Sequence, residues 1–146
     1  MLVLRCSSEK PLHAIVEAAE GLGAPCLLLT PGAMKGRAGL ELEAAFCLAS
    51  RAFQGKSNIS GKMPNEALLF LAREMNFASA LRSIGAKDAR AFVLVCEKNV
   101  PLAKVKKLLG LKSAKKIALP RMGRKKGAYF EGELAVERMA LARARN

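Results

Sequence analysis

Asn58–Glu97 reads NISGKMPNEALLFLAREMNFASALRSIGAKDARAFVLVCE, and its pattern changes twice. The polar loop Lys56–Lys62 gives way at Pro64, a residue suited to a first helical turn because its missing N–H has no partner there anyway. Leu68, Leu69, Leu71 and Ala72 then make the apolar side of a helix. Phe77, Ala80, Leu81 and Ile84 continue at helical spacing, and Gly85 is expected to close that second helix in the left-handed conformation. Arg90–Cys96 follows, with the continuous apolar run Phe92, Val93, Leu94 and Val95. Such a run predicts a strand covered on both faces.

Working outward, Leu2–Arg5 and Cys26–Leu29 read as further strands, the second bounded by Pro25 and by Pro31-Gly32. Pro11–Glu20 reads as a helix with Ser8 as its candidate cap and Gly21 and Gly23 as its stop. Leu40–Phe53 is a helix ended by Gly55. Pro101–Leu109 is a basic amphipathic helix with Leu102, Val105, Leu108 and Leu109 inward. Ile117-Ala118-Leu119 is a candidate edge strand, Arg121–Gly127 a glycine- and lysine-rich loop, and Glu131–Arg145 a final helix. Together these predict an α+β fold: a small mixed sheet of three to four strands, packed with a group of helices and a C-terminal helix. At 146 residues the whole chain, 1–146, is expected to be one domain.

Charge is uneven. Residues 1–97 carry 11 Lys/Arg and 9 Asp/Glu, a net of +2; residues 98–146 carry 14 and 3, a net of +11. Lys104, Lys106, Lys107, Lys112, Lys115 and Lys116 lead into Arg121, Arg124, Lys125 and Lys126. Such a run suits a polyanionic partner, held by phosphate contacts that do not read sequence; a solvated lysine face is the plainer alternative. Aromatic residues make up only 5% of the chain, which argues against base-stacking platforms. No apolar run approaches the ~18 residues that span a bilayer, and the N-terminus reads as a strand and not as a leader, so the cytoplasm is the expected location.

The four cysteines, at 6, 26, 47 and 96, lack the close pairs of a zinc site and read as buried reduced thiols. His13 is the only histidine and reads as a structural residue in a half-buried helix. No carboxylate pair, activated cysteine or Ser-His-acid set follows from spacing, and no phosphate-binding glycine loop occurs. The expectation is a protein without catalysis, cofactor or metal. Glu66 reads as a first-turn helix acid and Asp88 as a polar residue entering a strand.

Asn58-Ile59-Ser60, Glu66, Ala80-Leu81 and Ile84-Gly85-Ala86-Lys87 stand in an order and spacing that resembles the kinase-binding small subunit of the KEOPS complex, the PRPK-binding-protein family (archaeal type). The resemblance extends to Ala52-Phe53 and to Val136-Glu137-Arg138-Met139-Ala140-Leu141. It implies a non-catalytic accessory subunit that binds a small atypical kinase and supports threonylcarbamoyl modification of tRNA. Members hold the kinase partly with the C-terminal helix, which implies partner-binding roles for Val136, Met139, Ala140 and Leu141 here. Members also grip the single-stranded CCA end of tRNA. By position this implies one groove lined by the loop Asn58–Lys62, with Asn58, Ser60 and Lys62, and by the turn Arg73–Phe77, with Arg73 and Asn76, and with Lys87 nearby. Lys125 and Lys126 are expected to add sequence-independent contacts. Relatives place glycine, then arginine and glutamine, where this chain has Arg73, Met75 and Asn76, which makes Arg73 the candidate for a relocated phosphate contact. The runner-up function is a free-standing basic RNA-binding module of a ribosome-associated kind.

Overall fold

The computed structural model describes residues 1–35, 37 and 39–119. In chain order they form β1 (Leu2–Ser8), α1 (Leu12–Glu20), β2 (Cys26–Leu29), a 3-10 turn (Pro31–Met34), α2 (Gly39–Gln54), α3 (Met63–Ala72), α4 (Phe77–Ile84), β3 (Phe92–Cys96), α5 (Leu102–Leu109) and β4 (Leu111–Lys116). The class is α+β. The residues gather into two compact units: a sheet unit, Met1–Lys35 with Ile84–Ala118, and a helical unit whose described part is 37, 39–83 and Leu119.

In the sheet unit the strand order is β2-β3-β1-β4. Every neighbouring pair is antiparallel, where the sequence suggested a mixed sheet. The reason is topological. The strands joined through α1 (β1 and β2) and through α5 (β3 and β4) never pair with each other, because a third strand lies between them in each case. The result is two interleaved split βαβ units. Strand alternation sends Leu2, Leu4 and Cys6 of β1 and Phe92, Leu94 and Cys96 of β3 to one face. There they pack with Ile15 and Ala19 of α1 and with Val105 and Leu109 of α5. Each such side chain contributes roughly 2 kcal/mol by leaving water. The other face, with Val3, Leu27, Leu29, Val93 and Val95, is also buried. That is why β3 reads as an unbroken apolar run.

Three local expectations are corrected. Ser8 does not cap α1. It is buried at the end of β1, where its Oγ donates to Gly110 O at 3.0 Å and accepts from Lys10 N at 3.1 Å, while Pro11 holds the cap position with no side-chain bond. Gly85 is not left-handed. It bridges Leu29, between bonds from Thr30 N to Ile84 O and from Ala86 N to Leu28 O, both 2.9 Å. These cover the outer edge of β2, which would otherwise expose unpaired backbone groups. The edge strand beside β1 begins at Leu111, not at Ile117. In LKSAKK only Leu111 and Ala114 are half-buried, and three lysines with Ser113 occupy the rest of an edge where charge blocks further pairing. His13 lies on the exposed side of α1, a half-buried helix whose inner side carries Ile15 and Ala19.

In the helical unit α2 packs on α3. Leu42, Ala45, Phe46, Ala49 and Ala52 of α2 are buried, as are Ala67–Leu71 of α3. Cys47 faces solvent, against the expectation that all four thiols are buried. Among the described residues, no helix is long and apolar enough to cross a membrane, and no group of three His, Cys, Asp or Glu side chains could hold a metal.

Candidate nucleic-acid interface

The loop before α3 is built around one carboxylate. Glu66 is 0% exposed, one position past the third residue of its helix. Its Oε2 accepts from Ile59 N at 3.1 Å and from Ser60 N at 2.8 Å. A carboxylate at a helix start reaching back to free backbone donors is capping-box chemistry, extended here by several residues. Asn58 Nδ2 donates to Ser60 O at 3.0 Å, and Lys62 N approaches Ser60 Oγ at 3.4 Å. Asn58 and Ser60 are thus half-buried and engaged within the loop, while the Lys62 side chain is exposed.

The far end of α3 carries the second group. Arg73 N–H donates to Phe70 O at 3.1 Å and Glu74 N–H to Leu69 O at 3.0 Å, the paired closure of a Schellman motif. The residue at its left-handed position is normally glycine; here it is Arg73, with φ 60°. Its guanidinium is exposed. Asn76 caps α4, its Oδ1 accepting from Ser79 N at 3.2 Å. Met75, Phe77 and Leu81 expose apolar surface beside it.

Loop and turn therefore sit at opposite ends of a ten-residue helix, about 15 Å apart along its axis. A groove lined by both has to run the length of α3. A contributor missed from the sequence lies at the Arg73 end. Arg37 Nη1 donates to Leu71 O at 3.3 Å and stands 3.7 Å from Glu41 Oε2. Burial pushes the Arg37 guanidinium below its ordinary pKa; Glu41 works against that shift and the nearby Arg73 charge adds to it. Two cations thus converge where the helix dipole is negative. Arg37 was not legible because it precedes its helix in a segment without periodicity.

Lys87 belongs to the sheet unit. It lines an open cleft of about 460 Å³ with Lys10, Arg90, Glu9 and Asp88, beside the start of α1. Asp88 Oδ1 accepts from Arg90 N at 2.8 Å, a turn that leads into β3 and fits its reading as a strand-entry residue. Lys104 Nζ donates to Leu22 O at 3.1 Å, whereas Lys106, Lys107, Lys115 and Lys116 are exposed. Arg5 and Lys115 stand directly opposite each other across β1 and β4, and both are exposed. The sheet face opposite α1 and α5 offers no stacking platform, since its central residues are buried aliphatics. Lys125, Lys126, Val136, Met139, Ala140 and Leu141 lie outside the described residues.

No protein-family model matches the chain, and no curated protein matches it.

Proposed function

We propose that the protein is a non-catalytic accessory subunit of a KEOPS-type complex, which binds an atypical kinase and the CCA end of tRNA and so supports threonylcarbamoyladenosine formation. The observation that carries the proposal is the Glu66 carboxylate. The residues of the resemblance, Asn58-Ile59-Ser60 and Glu66, act as one hydrogen-bonded device that fixes a polar loop at the start of α3. Arg73 and Arg37 supply cationic groups at the other end of the same helix, and exposed Met75 and Phe77 offer apolar surface to a nucleotide. Three unpaired nucleotides span a distance of that order. Val136, Met139, Ala140 and Leu141 remain the proposed kinase-binding positions, and the cytoplasm the proposed location.

The test has two arms. From native cytosol the tagged chain should co-purify an atypical kinase together with tRNA. In direct titrations, intact tRNA should bind more tightly than tRNA trimmed of its CCA. Equal affinity for both, with no kinase recovered, would sink the proposal.

A second reading has its own support. Like charges directly opposite on paired strands are destabilising, and Arg5 faces Lys115 in that way. A bound polyanion would relieve the repulsion, which suits a free-standing RNA-binding module that reads backbone alone. Its affinity would fall steeply with salt and ignore the CCA end.

A further inference from the structure

Cys26 and Cys96 are 70 positions apart in sequence, yet they are direct partners in the β2–β3 ladder. Glu97 N donates to Pro25 O at 3.0 Å, which makes 25 and 97 a hydrogen-bonded pair. Pair types alternate along an antiparallel ladder, so 26 and 96 form a non-hydrogen-bonded pair. At such sites side chains approach most closely, with Cα atoms about 4.5 Å apart, within the roughly 4.4–6.8 Å that a disulfide bridges. Both thiols are reduced here, and their Sγ atoms lie 2.8 Å apart. We infer that Cys26 and Cys96 form a peroxide-reactive dithiol that closes to an intramolecular disulfide across β2 and β3.

The roles of the two sulfurs differ. Cys26 keeps 9% exposure and Cys96 none, so an oxidant meets Cys26 first. Cys96 is the hydrogen-bond acceptor of the pair. That bond and burial hold the Cys26 proton on, while the bond pulls the Cys96 thiol below its ordinary pKa against the effect of burial. Cys26 Sγ also lies 3.2 Å from Ala24 O, a second acceptor for the same proton. In the first step the pair gives one proton to solvent, the hydrogen-bonded proton shifts from Cys26 to Cys96, and the freed Cys26 thiolate attacks one peroxide oxygen. The O–O bond breaks, Cys26 becomes a sulfenic acid, and the other oxygen leaves as hydroxide, which takes a proton back from solvent to become water. In the second step the Cys96 sulfur attacks the Cys26 sulfur. The S–S bond forms, the S–O bond breaks, and hydroxide leaves with the Cys96 proton as a second water. Two thiols and one peroxide give one disulfide and two waters, and the two sulfurs together lose two electrons. Cys6 stays apart, because its partner across the ladder on β3 is Phe92 and not a cysteine.

The position of the link gives it a consequence. β2 is the last strand before α2, α3 and α4, and β3 is the first strand after them. The disulfide would close the chain around that whole insertion and constrain the unfolded state over a long loop.

The experiment treats the reduced full-length protein with a small excess of hydrogen peroxide, then quenches, denatures and alkylates it. A Cys47→Ser variant is run in parallel to remove the exposed competitor. In that variant the expected result is a mass lower by about 2 Da before alkylation, a drop from three alkylatable thiols to one, and a peptide pair linked through Cys26 and Cys96. The oxidised form should unfold at a higher temperature than the reduced form, and dithiothreitol should reverse the change. Full alkylation of Cys26 and Cys96 after peroxide treatment, or a sulfinic acid at Cys26 with no linked peptide, would overturn the inference.

Discussion

The two units end their helices differently. In the sheet unit α5 stops at Gly110, whose φ of 60° puts no strain on a residue without a side chain. In the helical unit α2 and α3 end at Lys56 and Arg73, with φ 55° and 60°. Both close with the same paired hydrogen bonds: Lys56 N to Phe53 O and Ser57 N to Ala52 O in α2, Arg73 N to Phe70 O and Glu74 N to Leu69 O in α3. A left-handed residue with a side chain costs about 1 kcal/mol or more against glycine. The helical unit also buries a carboxylate, Glu66, to hold a loop. The sheet unit thus carries little local strain, while the helical unit carries strain at Lys56 and Arg73 and a buried carboxylate at Glu66, beside the loop and the turn of the candidate interface. Local strain kept by a fold tends to mark places where something binds.

If the sheet unit rests on core packing, the largest effect should come from its centre. Phe92 is fully buried between α1, α5 and β1. Phe92→Ala should cost about 4 kcal/mol by loss of transfer energy and the cavity left behind. Chemical denaturation reads it, and a loss below 1 kcal/mol would break the contrast. In the helical unit the corresponding test is Glu66→Ala. It leaves the Ile59 and Ser60 amides without their acceptor and should cost about 3 kcal/mol, because bonds to a buried charge exceed neutral ones. Hydrogen exchange at those two amides should accelerate more than at the β3 amides. Equal protection in mutant and wild type would mean that the loop is held by something else.

Much of the fold was legible because its signals are local. β2 and α4 fall at their expected bounds, and β3 differs only in its first residues, since an apolar run or a helical stripe needs no distant partner to be seen. β4 was displaced because an edge strand has no apolar face to announce it; pairing with β1 creates it. Gly85 was misread for a related reason, since the bridge to Leu29 overrides a helix-capping preference. The helix expected to end at Gly55 takes its left-handed residue one position later, at Lys56. Cysteine spacing counted along the chain hid the pair that β2 and β3 align. At the candidate interface, the Glu66 position was legible but its reach to Ile59 and Ser60 was not. Arg37 joined Arg73 only through tertiary folding.

A smaller effect sharpens the comparison most directly. Arg73→Gly removes both the left-handed strain and the guanidinium. Stability should rise by about 1 kcal/mol. The preference for intact over CCA-trimmed tRNA should shrink at the same time, while binding of generic RNA stays nearly constant. A gain in stability with unchanged CCA preference would leave Arg73 as a strained helix end and nothing more. Loss of stability would show that its side chain does structural work that outweighs the strain.

The smallest effect belongs to the rim of the sheet unit. Glu9 Oε1 accepts from Lys112 Nζ at 2.9 Å, and both side chains are well exposed. The hydrogen bond to Lys112 holds the Glu9 carboxyl below its ordinary range, with the lysine charge adding to it, and the same bond raises Lys112. A carboxylate lowered on folding adds stability that is present above its unfolded pKa and lost as pH falls through the lowered folded value. An amine raised on folding adds stability that is present below its unfolded pKa and lost as pH rises through the raised folded value. The pair therefore contributes between those limits, and water and salt screen it throughout. In a carboxyl-detected NMR titration at low salt, Glu9 should titrate below the ordinary glutamate range. Lys112→Ala should return it to that range, with no measurable change in the unfolding midpoint near neutral pH. An unshifted Glu9 in the wild type would mean that the pair is not formed in solution. A clear loss of stability in Lys112→Ala would give this lysine-rich edge a structural role and weaken the case that its charge serves a polyanion.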